Sequence, residues 1–242
     1  MKKQIPQNAV SNDYETLINC FIKQLIEAEK GNIVSIFLQG SFARGEATDN
    51  SDIDIVCIFK TLNIGILAKI SVITENLPIN YNQLELNAQC ITLDEFESGH
   101  FSNFFSYSIL RFESILLWGE NIFTYTVQGE EIEKTYKKLL AEVLLGIRHY
   151  ITVNESPEKL THKKIKTWIL KPLMFALRLE RYFYSNQYPI AISDLHNAYN
   201  DPPKSIMYFM SKEKWESDVQ SNRNATLYYL HDEIESLLMR TK

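Results

Sequence analysis

Two aspartates separated by one residue, Asp52 and Asp54, are the side chains of this sequence best suited to chemistry. They begin a run rich in β-branched residues that predicts a strand from Ile53 to Phe59. Because side chains two apart on a strand leave the same face, the two carboxylates would lie side by side and repel each other without a cation. Hard oxygen ligands in that arrangement suit Mg²⁺ and the phosphates that it carries.

A Gly-Ser pair, Gly40 and Ser41, precedes the aspartates by a ten-residue spacer. The mostly apolar stretch from Ile33 to Leu38 predicts a buried strand, which Gly40 would end. Backbone N–H groups at such a turn form a small anion-binding nest, and Ser41 would hold a phosphate oxygen there. The sequence 49–51, Asp-Asn-Ser, predicts a turn directly before the aspartate strand.

Together these two motifs resemble the signature of the polymerase-beta-like nucleotidyltransferase superfamily. The residues 43–45, Ala-Arg-Gly, extend the resemblance, whereas Gln39 stands where that family usually has an apolar or aromatic residue. The resemblance implies in-line displacement at the α-phosphorus of a nucleoside triphosphate, with pyrophosphate as the leaving group. It further implies ATP or another nucleoside triphosphate as co-substrate and Mg²⁺, as two ions, at the carboxylates.

The resemblance also assigns roles to single residues. Asp52 and Asp54 would hold the metal ions, and Gly40 and Ser41 would bind the triphosphate. Arg44 would balance phosphate charge, with a solvated loop arginine as the alternative.

Members of that superfamily take a third carboxylate from a later strand, and Glu85 is the candidate here. The stretch from Gln83 to Ile91 alternates in polarity and predicts a strand with Glu85 on its polar face. By resemblance Glu85 would complete the metal site or accept the proton of the attacking hydroxyl. A solvent-facing strand glutamate is the alternative, and Asp94 and Glu97 are weaker candidates because they follow the strand.

Composition limits the class of protein. Of the 242 residues, 45% are hydrophobic and 23% charged, which is typical of a globular protein. The net charge of −5 argues against broad nucleic-acid affinity, although a local basic site stays open. No apolar run approaches the ~20 residues of a membrane span, and residues 1–6 lack a signal-peptide core. We expect a cytoplasmic monomer or homodimer with no membrane partner.

The order of predicted elements indicates an α+β fold, with a small mixed-sheet nucleotidyltransferase core followed by a C-terminal helical bundle. Helices predicted from about Asn12 to Glu29 and from Ile64 to Glu75 alternate with the strands of the core. From about Glu95 the pattern turns helical. The segments concerned are Phe101 to Leu117, Glu131 to Tyr150, Lys163 to Tyr184, bent or restarted at Pro172, and Asn224 to Met239.

We predict a catalytic domain over residues 1–122 and a helical bundle on the acceptor-binding side over residues 123–242. This arrangement resembles the aminoglycoside adenylyltransferases of the streptomycin/spectinomycin type. Three acidic residues, Glu113, Glu180 and Asp194, are candidates for an acceptor site. The three cysteines show no paired spacing and are predicted to be small buried apolar residues; they are Cys20, Cys57 and Cys90.

Cations and aromatic residues recur at alternating spacings of four and three along one predicted helix; they are Lys164, Trp168, Lys171, Phe175, Arg178 and Tyr182. If this stripe faces a cleft, it would bind triphosphate or stack a base or a sugar-bearing acceptor, with Lys171 as the nucleotide-binding candidate. The alternative is that the aromatic rings are core and the lysines extend their stems along its edge.

The function predicted is Mg²⁺-dependent transfer of a nucleoside monophosphate, AMP from ATP by resemblance, to a hydroxyl of a small molecule such as an aminoglycoside antibiotic. This would make the chain an antibiotic-resistance enzyme. Two alternatives stay open. One is the same transfer to a protein or RNA acceptor, and the other is a non-catalytic nucleotide-binding or antitoxin-like module.

Overall fold

The computed structural model describes residues 13–49, 51–78, 85–98, 107–123, 129–153, 162–199 and 212–239. The chain divides into two compact units, Met1–Thr126 and Val127–Lys242. The first contains a four-stranded mixed sheet and the second is helical where it is described, so the predicted α+β class is confirmed. The assignment of catalysis to residues 1–122 and of acceptor binding to residues 123–242 stays a prediction.

The first unit is built on a sheet with the order β3-β2-β1-β4. Its elements are α1 (Asp13–Glu29), β1 (Ile33–Gln39), α2 (Gly40–Arg44), β2 (Ile53–Phe59), α3 (Ile64–Glu75), β3 (Leu86–Thr92), α4 (Leu93–Glu97), α5 (Tyr107–Glu113) and β4 (Ile115–Gly119). Strand β1 is antiparallel to β2 and β4, whereas β2 and β3 are parallel. Helix α3 supplies the crossover that a parallel pair requires.

Both faces of the sheet are buried, which is why β1 and β2 are nearly continuous apolar runs. On one face α1 and α3 pack on the sheet; the buried residues there include Phe21, Leu25, Ile36, Leu38, Ile53, Ile55, Ile66 and Ile70. On the other face α4 and α5 contribute to a smaller cluster; it contains Val34, Phe37, Val56, Ile58, Ile91, Phe96 and Leu110. Burial on both faces fixes the register of the central strands.

The segment before the second unit differs from the prediction. Within the predicted helical stretch from Phe101 to Leu117, only Tyr107–Glu113 is helical, and residues 101–106 lie outside the described part. Ile115–Gly119 is strand β4, paired with β1. A short apolar run fits a helix or a strand equally well, so pairing with a neighbouring strand decided its conformation.

Gly119 closes β4 against the backbone of β1. Its φ of +87° lies in the left-handed region, and a Cβ built on it would lie 2.1 Å from the Val34 carbonyl oxygen. That oxygen accepts a hydrogen bond of 3.0 Å from the Glu120 N–H. Only glycine fits both the conformation and the contact.

The second unit consists of long helices with one irregular segment. Its elements are α6 (Gly129–Val153), α7 (His162–Ile165), a π-helical segment (Lys166–Leu170), α8 (Lys171–Ser185), α9 (Ile192–Ala198) and α10 (Lys212–Met239). Helix α6 packs against α8 and α10. In the described residues, no helix has both the length and the apolar character that a membrane crossing needs.

The predicted helix from Lys163 to Tyr184 is interrupted by an irregular segment, and the α-helix restarts at Lys171, next to Pro172. The irregularity is the π-helical segment Lys166–Leu170, which ends before the proline. Pro172 stands in the first turn of α8, a position that proline favours. The predicted restart at Pro172 is therefore confirmed, whereas the π-helical segment before it was not predicted.

Gly119→Ala should destabilise the first unit by about 2 kcal/mol or more, because the new Cβ meets the Val34 carbonyl and the backbone is strained. The urea unfolding midpoint would measure this. The control is Gly31→Ala, where no heavy atom lies within 4 Å of the new Cβ, so little change is expected. Equal midpoints for the two variants would contradict the proposed close contact.

Candidate functional site

The register of β1 and β2 brings the Gly-Ser turn to the aspartates. Gln39 is the partner of Asp54 across this antiparallel pair, and Gly40 follows directly. Gly40 has a φ of +71°, and a Cβ built on it would lie 2.5 Å from Asp54 Oδ2. A side chain at this position would therefore displace the carboxylate as well as strain the backbone.

The Gly-Ser turn opens the single-turn helix α2. Gly45 ends the helix in a left-handed conformation, with φ of +75°, and the Glu46 N–H donates to the Ser41 carbonyl at 2.9 Å. The first N–H groups of a helical turn have no carbonyl partner within it. A left-handed residue followed by a right-handed turn supports the predicted anion nest, while phosphate binding by Gly40 and Ser41 stays a prediction.

Helix α2 is held on three sides by buried side chains. Phe42 is fully buried, and its ring centre lies 4.9 Å from that of Tyr14 on α1. Ala43 is also buried. Arg44 donates to Glu46 Oε2 at 2.8 Å and to Glu113 Oε2, at the end of α5, at 3.0 Å. The position of the Gly-Ser turn is thus fixed by the core.

The Arg44 guanidinium has a structural partner that the sequence did not reveal. Its side chain is 9% exposed and that of Glu113 is 1% exposed, so the pair is buried. Burial lowers the pKa of Arg44, but the charges of Glu113 and Glu46 outweigh this and raise the pKa above its ordinary value. The alternative of a solvated loop arginine is therefore wrong, and a phosphate contact by Arg44 stays a prediction. The ion pair with Arg44 explains why Glu113 is buried, so a role in acceptor binding is not needed to account for this residue.

Asn87 is a residue of the site that sequence reasoning did not single out. It is the partner of Asp54 across the parallel pair β2 and β3, and its Nδ2 donates to Asp54 Oδ1 at 3.3 Å. The carboxylate of Asp54 is thus positioned by Asn87 at one oxygen and lies over Gly40 with the other. The alternation that placed Glu85 on the polar face of β3 also placed Asn87 there, and was the available signal.

Asp52 and Glu85 occupy neighbouring positions at the same end of β2 and β3. Each directly precedes its strand, and the Ile53 N–H donates to the Glu85 carbonyl at 2.8 Å. Both residues are exposed. By contrast, Asp94 and Glu97 belong to α4, which follows the opposite end of β3. The weaker candidates are thus separated from the aspartates by the length of a strand.

The chemistry of the donor set suits a hard divalent cation, but in the described residues the Asp52, Asp54 and Glu85 carboxylates do not all lie within 4.8 Å of one another. Asp52 and Asp54 offer carboxylate oxygens at one end of the sheet, with Glu85 on the neighbouring strand position. Mg²⁺ prefers such oxygen ligands and is usually held by one or two carboxylates together with substrate phosphates. Asp52 and Asp54 would hold Mg²⁺, with Glu85 as a third ligand or as the base, and these roles stay predictions.

A group of possible ligands that does come within this distance lies on α10 of the helical unit. One ligand atom from each of His231, Asp232 and Glu235 lies within 4.8 Å of the others. Arg148 on α6 donates to His231 Nε2 at 3.1 Å and to Glu235 Oε1 at 3.0 Å. A guanidinium cation already supplies positive charge there, so the group is better explained as a tie between α6 and α10.

The predicted cation and aromatic stripe does not form one face. Trp168 is 67% exposed, Lys171 is exposed and Arg178 is fully buried, with its Nη2 donating to the Ile190 carbonyl at 2.6 Å. The π-helical segment between Ile165 and Lys171 shifts the helical register. Residues spaced by three and four therefore no longer lie on one face of the helix. The core alternative fails for Trp168, and nucleotide binding by Lys171 stays a prediction.

Of the acidic acceptor candidates in the helical unit, Glu180 is buried and accepts a hydrogen bond of 2.6 Å from the Tyr199 hydroxyl. Glu180 also lines a pocket of about 280 Å³. Asp194 lines another pocket, of about 370 Å³. The other lining residues are Arg181, Gln187, Tyr188, Pro189, Asn197 and Ala198. Both acidic residues therefore line pockets, and an acceptor role for either stays a prediction.

Arg44→Ala should destabilise the first unit by about 3–5 kcal/mol, because it leaves the Glu113 carboxylate buried without its guanidinium. Urea unfolding would measure the loss. The control is Lys69→Ala. The Lys69 side chain is 59% exposed and pairs with Glu29, so its loss should change the free energy of unfolding by less than about 1 kcal/mol. Similar losses in both variants would show that the Arg44 pair is not a buried one in solution.

Residues 19–117 match the nucleotidyltransferase domain family. The matched region includes the Gly-Ser turn, both aspartates and Glu85. No curated protein sequence matches the chain.

Among solved structures, the spectinomycin adenyltransferase of Enterococcus faecialis, determined with ATP and spectinomycin, aligns with a TM-score of 0.55 and 12% identity, over 91% of this chain and 99% of that one. At this identity the likeness shows a shared fold. A protein of Sulfolobus solfataricus, assigned provisionally as a nucleotidyltransferase, has 21% identity over 46% of this chain and 89% of its own, with a TM-score of 0.29. Residues 19–117 therefore form a nucleotidyltransferase domain, and the chain shares its fold with an adenyltransferase.

Proposed function

We propose that this nucleotidyltransferase moves AMP from ATP, with Mg²⁺, to a hydroxyl of a small molecule. The observation that carries the proposal is the placement of the Asp54 carboxylate between Gly40 and Asn87, at the start of the Gly-Ser turn. Transfer from a metal-bound triphosphate requires a metal-binding carboxylate next to a phosphate-binding turn. Asp54 and the predicted phosphate nest are neighbours of this kind.

Each residue at this end of the sheet has a defined task in the proposed reaction. The Gly40–Ser41 turn binds and orients the triphosphate, and Asp52 and Asp54 hold Mg²⁺. Bound Mg²⁺ supplies charge stabilisation to the attacking and leaving oxygens. Glu85 accepts the proton of the attacking hydroxyl as its oxygen bonds to the α-phosphorus and the bond to pyrophosphate breaks.

Asn87 acts by positioning in this scheme. Its amide N–H holds one oxygen of Asp54, which fixes the direction of the carboxylate. Phosphoryl-type transfer depends mainly on positioning and on charge stabilisation, so a residue that fixes a metal ligand contributes to the rate without contacting substrate.

The helical unit contains a pocket beside α8 and α9 with room for a small molecule. Its volume of about 370 Å³ is of the size that binds small molecules. Arg181, Asp194 and Asn197 offer hydrogen-bond donors and acceptors, and Tyr188 offers an aromatic ring. This mixture suits a compact molecule with several hydroxyl groups.

Aminoglycoside antibiotics are the first acceptor class to test. They are small and rich in hydroxyl groups, and the spectinomycin adenyltransferase with the shared fold was determined with such a compound. Protein and RNA acceptors form the second class. The net charge of −5 weighs against RNA.

Asp54→Asn should abolish transfer while the fold stays intact, because the change removes a metal-ligand charge and keeps the shape of the side chain. The assay is pyrophosphate release with ATP and Mg²⁺ across aminoglycoside, protein and RNA acceptors, with the mass of each product. The control is Asp94→Asn, at the other end of β3, which should keep activity within about twofold.

An AMP-sized mass gain on an aminoglycoside, lost in Asp54→Asn and kept in Asp94→Asn, would support the proposal. The same gain on RNA or protein alone would replace the acceptor class. Near-normal transfer by Asp54→Asn would overturn the assignment of the metal site.

Gly40→Ala should lower the rate of transfer by about 100-fold or more, because the new Cβ would displace the Asp54 carboxylate. A misplacement of about 1 Å is enough to disrupt catalytic alignment to this extent. Circular dichroism would verify the fold, and kcat with a saturating acceptor would report the loss. Gly31→Ala, with open space around its new Cβ, is the matched control. Unchanged kcat in Gly40→Ala would show that Asp54 does not need its position over Gly40.

A further inference from the structure

Two of the three cysteines, far apart in sequence, are direct neighbours in the sheet. Cys57 on β2 and Cys90 on β3 are Cα partners across the parallel pair. Partners in register present their side chains on the same face, and both cysteines pack on the core beneath α1 and α3. The spacing of the cysteines along the chain shows no sign of this pairing, because it depends on the register of β2 and β3.

The spacing of the two strands suits a covalent bond between the thiols. Neighbouring strands lie about 4.7–4.9 Å apart, and disulfides form at Cα separations of about 4.4–6.8 Å. A bond between Cys57 and Cys90 therefore needs no separation of the strands. In the described sheet β3 is an edge strand, so it has neighbours on one side only and can adjust to the bond.

The two thiols differ in access and in ionisation. Cys57 is fully buried, whereas Cys90 is partly exposed and can meet a small oxidant. The Cys90 thiol, together with burial, raises the pKa of Cys57 well above its ordinary value. The Cys57 thiol lowers the pKa of Cys90, although burial opposes this. Because the thiolate is the nucleophile, Cys90 reacts first and Cys57 second.

We propose that Cys57 and Cys90 form a site of reversible oxidation that hydrogen peroxide converts to a disulfide between β2 and β3. The Cys90 thiolate attacks one peroxide oxygen, the O–O bond breaks, and a sulfenic acid and, after proton uptake, one water are formed. The Cys57 sulfur then attacks the sulfenic sulfur, its proton leaves with the hydroxyl as a second water, and the S–S bond forms. Two thiols are oxidised and one peroxide is reduced to two waters.

The bond would join the strands that carry the candidate site. Cys57 follows Asp54 by three residues on β2, and Cys90 follows Asn87 by three residues on β3. At about 3.3 Å per residue, the bond would lie about 10 Å along the strands from the Asp54–Asn87 contact, on the opposite face. Oxidation would thus fix covalently the strand pairing on which that contact depends.

The test uses the reduced full-length chain and hydrogen peroxide. After peroxide is removed with catalase, the protein is denatured and labelled with N-ethylmaleimide, and its intact mass is measured. We expect labelling to fall from three thiols to one, with a loss of two hydrogens and a peptide pair joining Cys57 to Cys90. Treatment with dithiothreitol should restore three labels. This readout does not use transfer activity, so it stands or falls independently of the proposed function.

Three variants make the result specific. Cys20→Ser should still lose two labels on oxidation. This variant keeps both Cys57 and Cys90, so it tests the proposal even if a variant of the buried Cys57 fails to fold. Cys90→Ser and Cys57→Ala should each keep both remaining labels, without the linked peptides. Three labels after a peroxide dose that oxidises free dithiothreitol fully would overturn the proposal. Cys90 sulfinic acid without a link, or links through Cys20, would overturn it as well.

Discussion

The contact between Gly40 and the Asp54 carboxylate is the constraint on which the candidate site depends. A Cβ at residue 40 would lie 2.5 Å from Asp54 Oδ2, so the turn and the aspartate approach as closely as a glycine permits. The antiparallel register of β1 and β2 brings them together, and Asn87 holds the other carboxylate oxygen. A predicted phosphate nest and a predicted metal ligand thereby become parts of one site.

A helix as short as α2 cannot hold this geometry alone, because helices of a single turn are unstable in water. Its stability comes from tertiary contacts, with Phe42 packed on Tyr14 and Arg44 paired with the buried Glu113. The site therefore lies on a turn whose side chains belong to the core. The apolar clusters on both faces of the sheet fix the strands on which the turn is mounted.

Local patterns predicted the parts of the fold that carry strong periodicity. The strands on either side of the Gly-Ser turn and the helix from Ile64 to Glu75 were predicted and are present. The strand Ile115–Gly119 was not, because its few apolar residues carry no period that distinguishes strand from helix. The π-helical segment Lys166–Leu170 was also missed, since one extra residue in a helical turn leaves no mark on polarity.

The sequence by itself determined the chemistry on offer: carboxylates two residues apart, a glycine-serine turn and a third acid on a later strand. Only the tertiary structure decided the partners of those groups. Arg44 meets Glu113, Asp54 meets Asn87 and Cys57 meets Cys90, each across at least thirty residues of chain. Short-range periodicity reports which face a residue occupies, whereas pairing between distant segments depends on strand register and on the shape of the shared core.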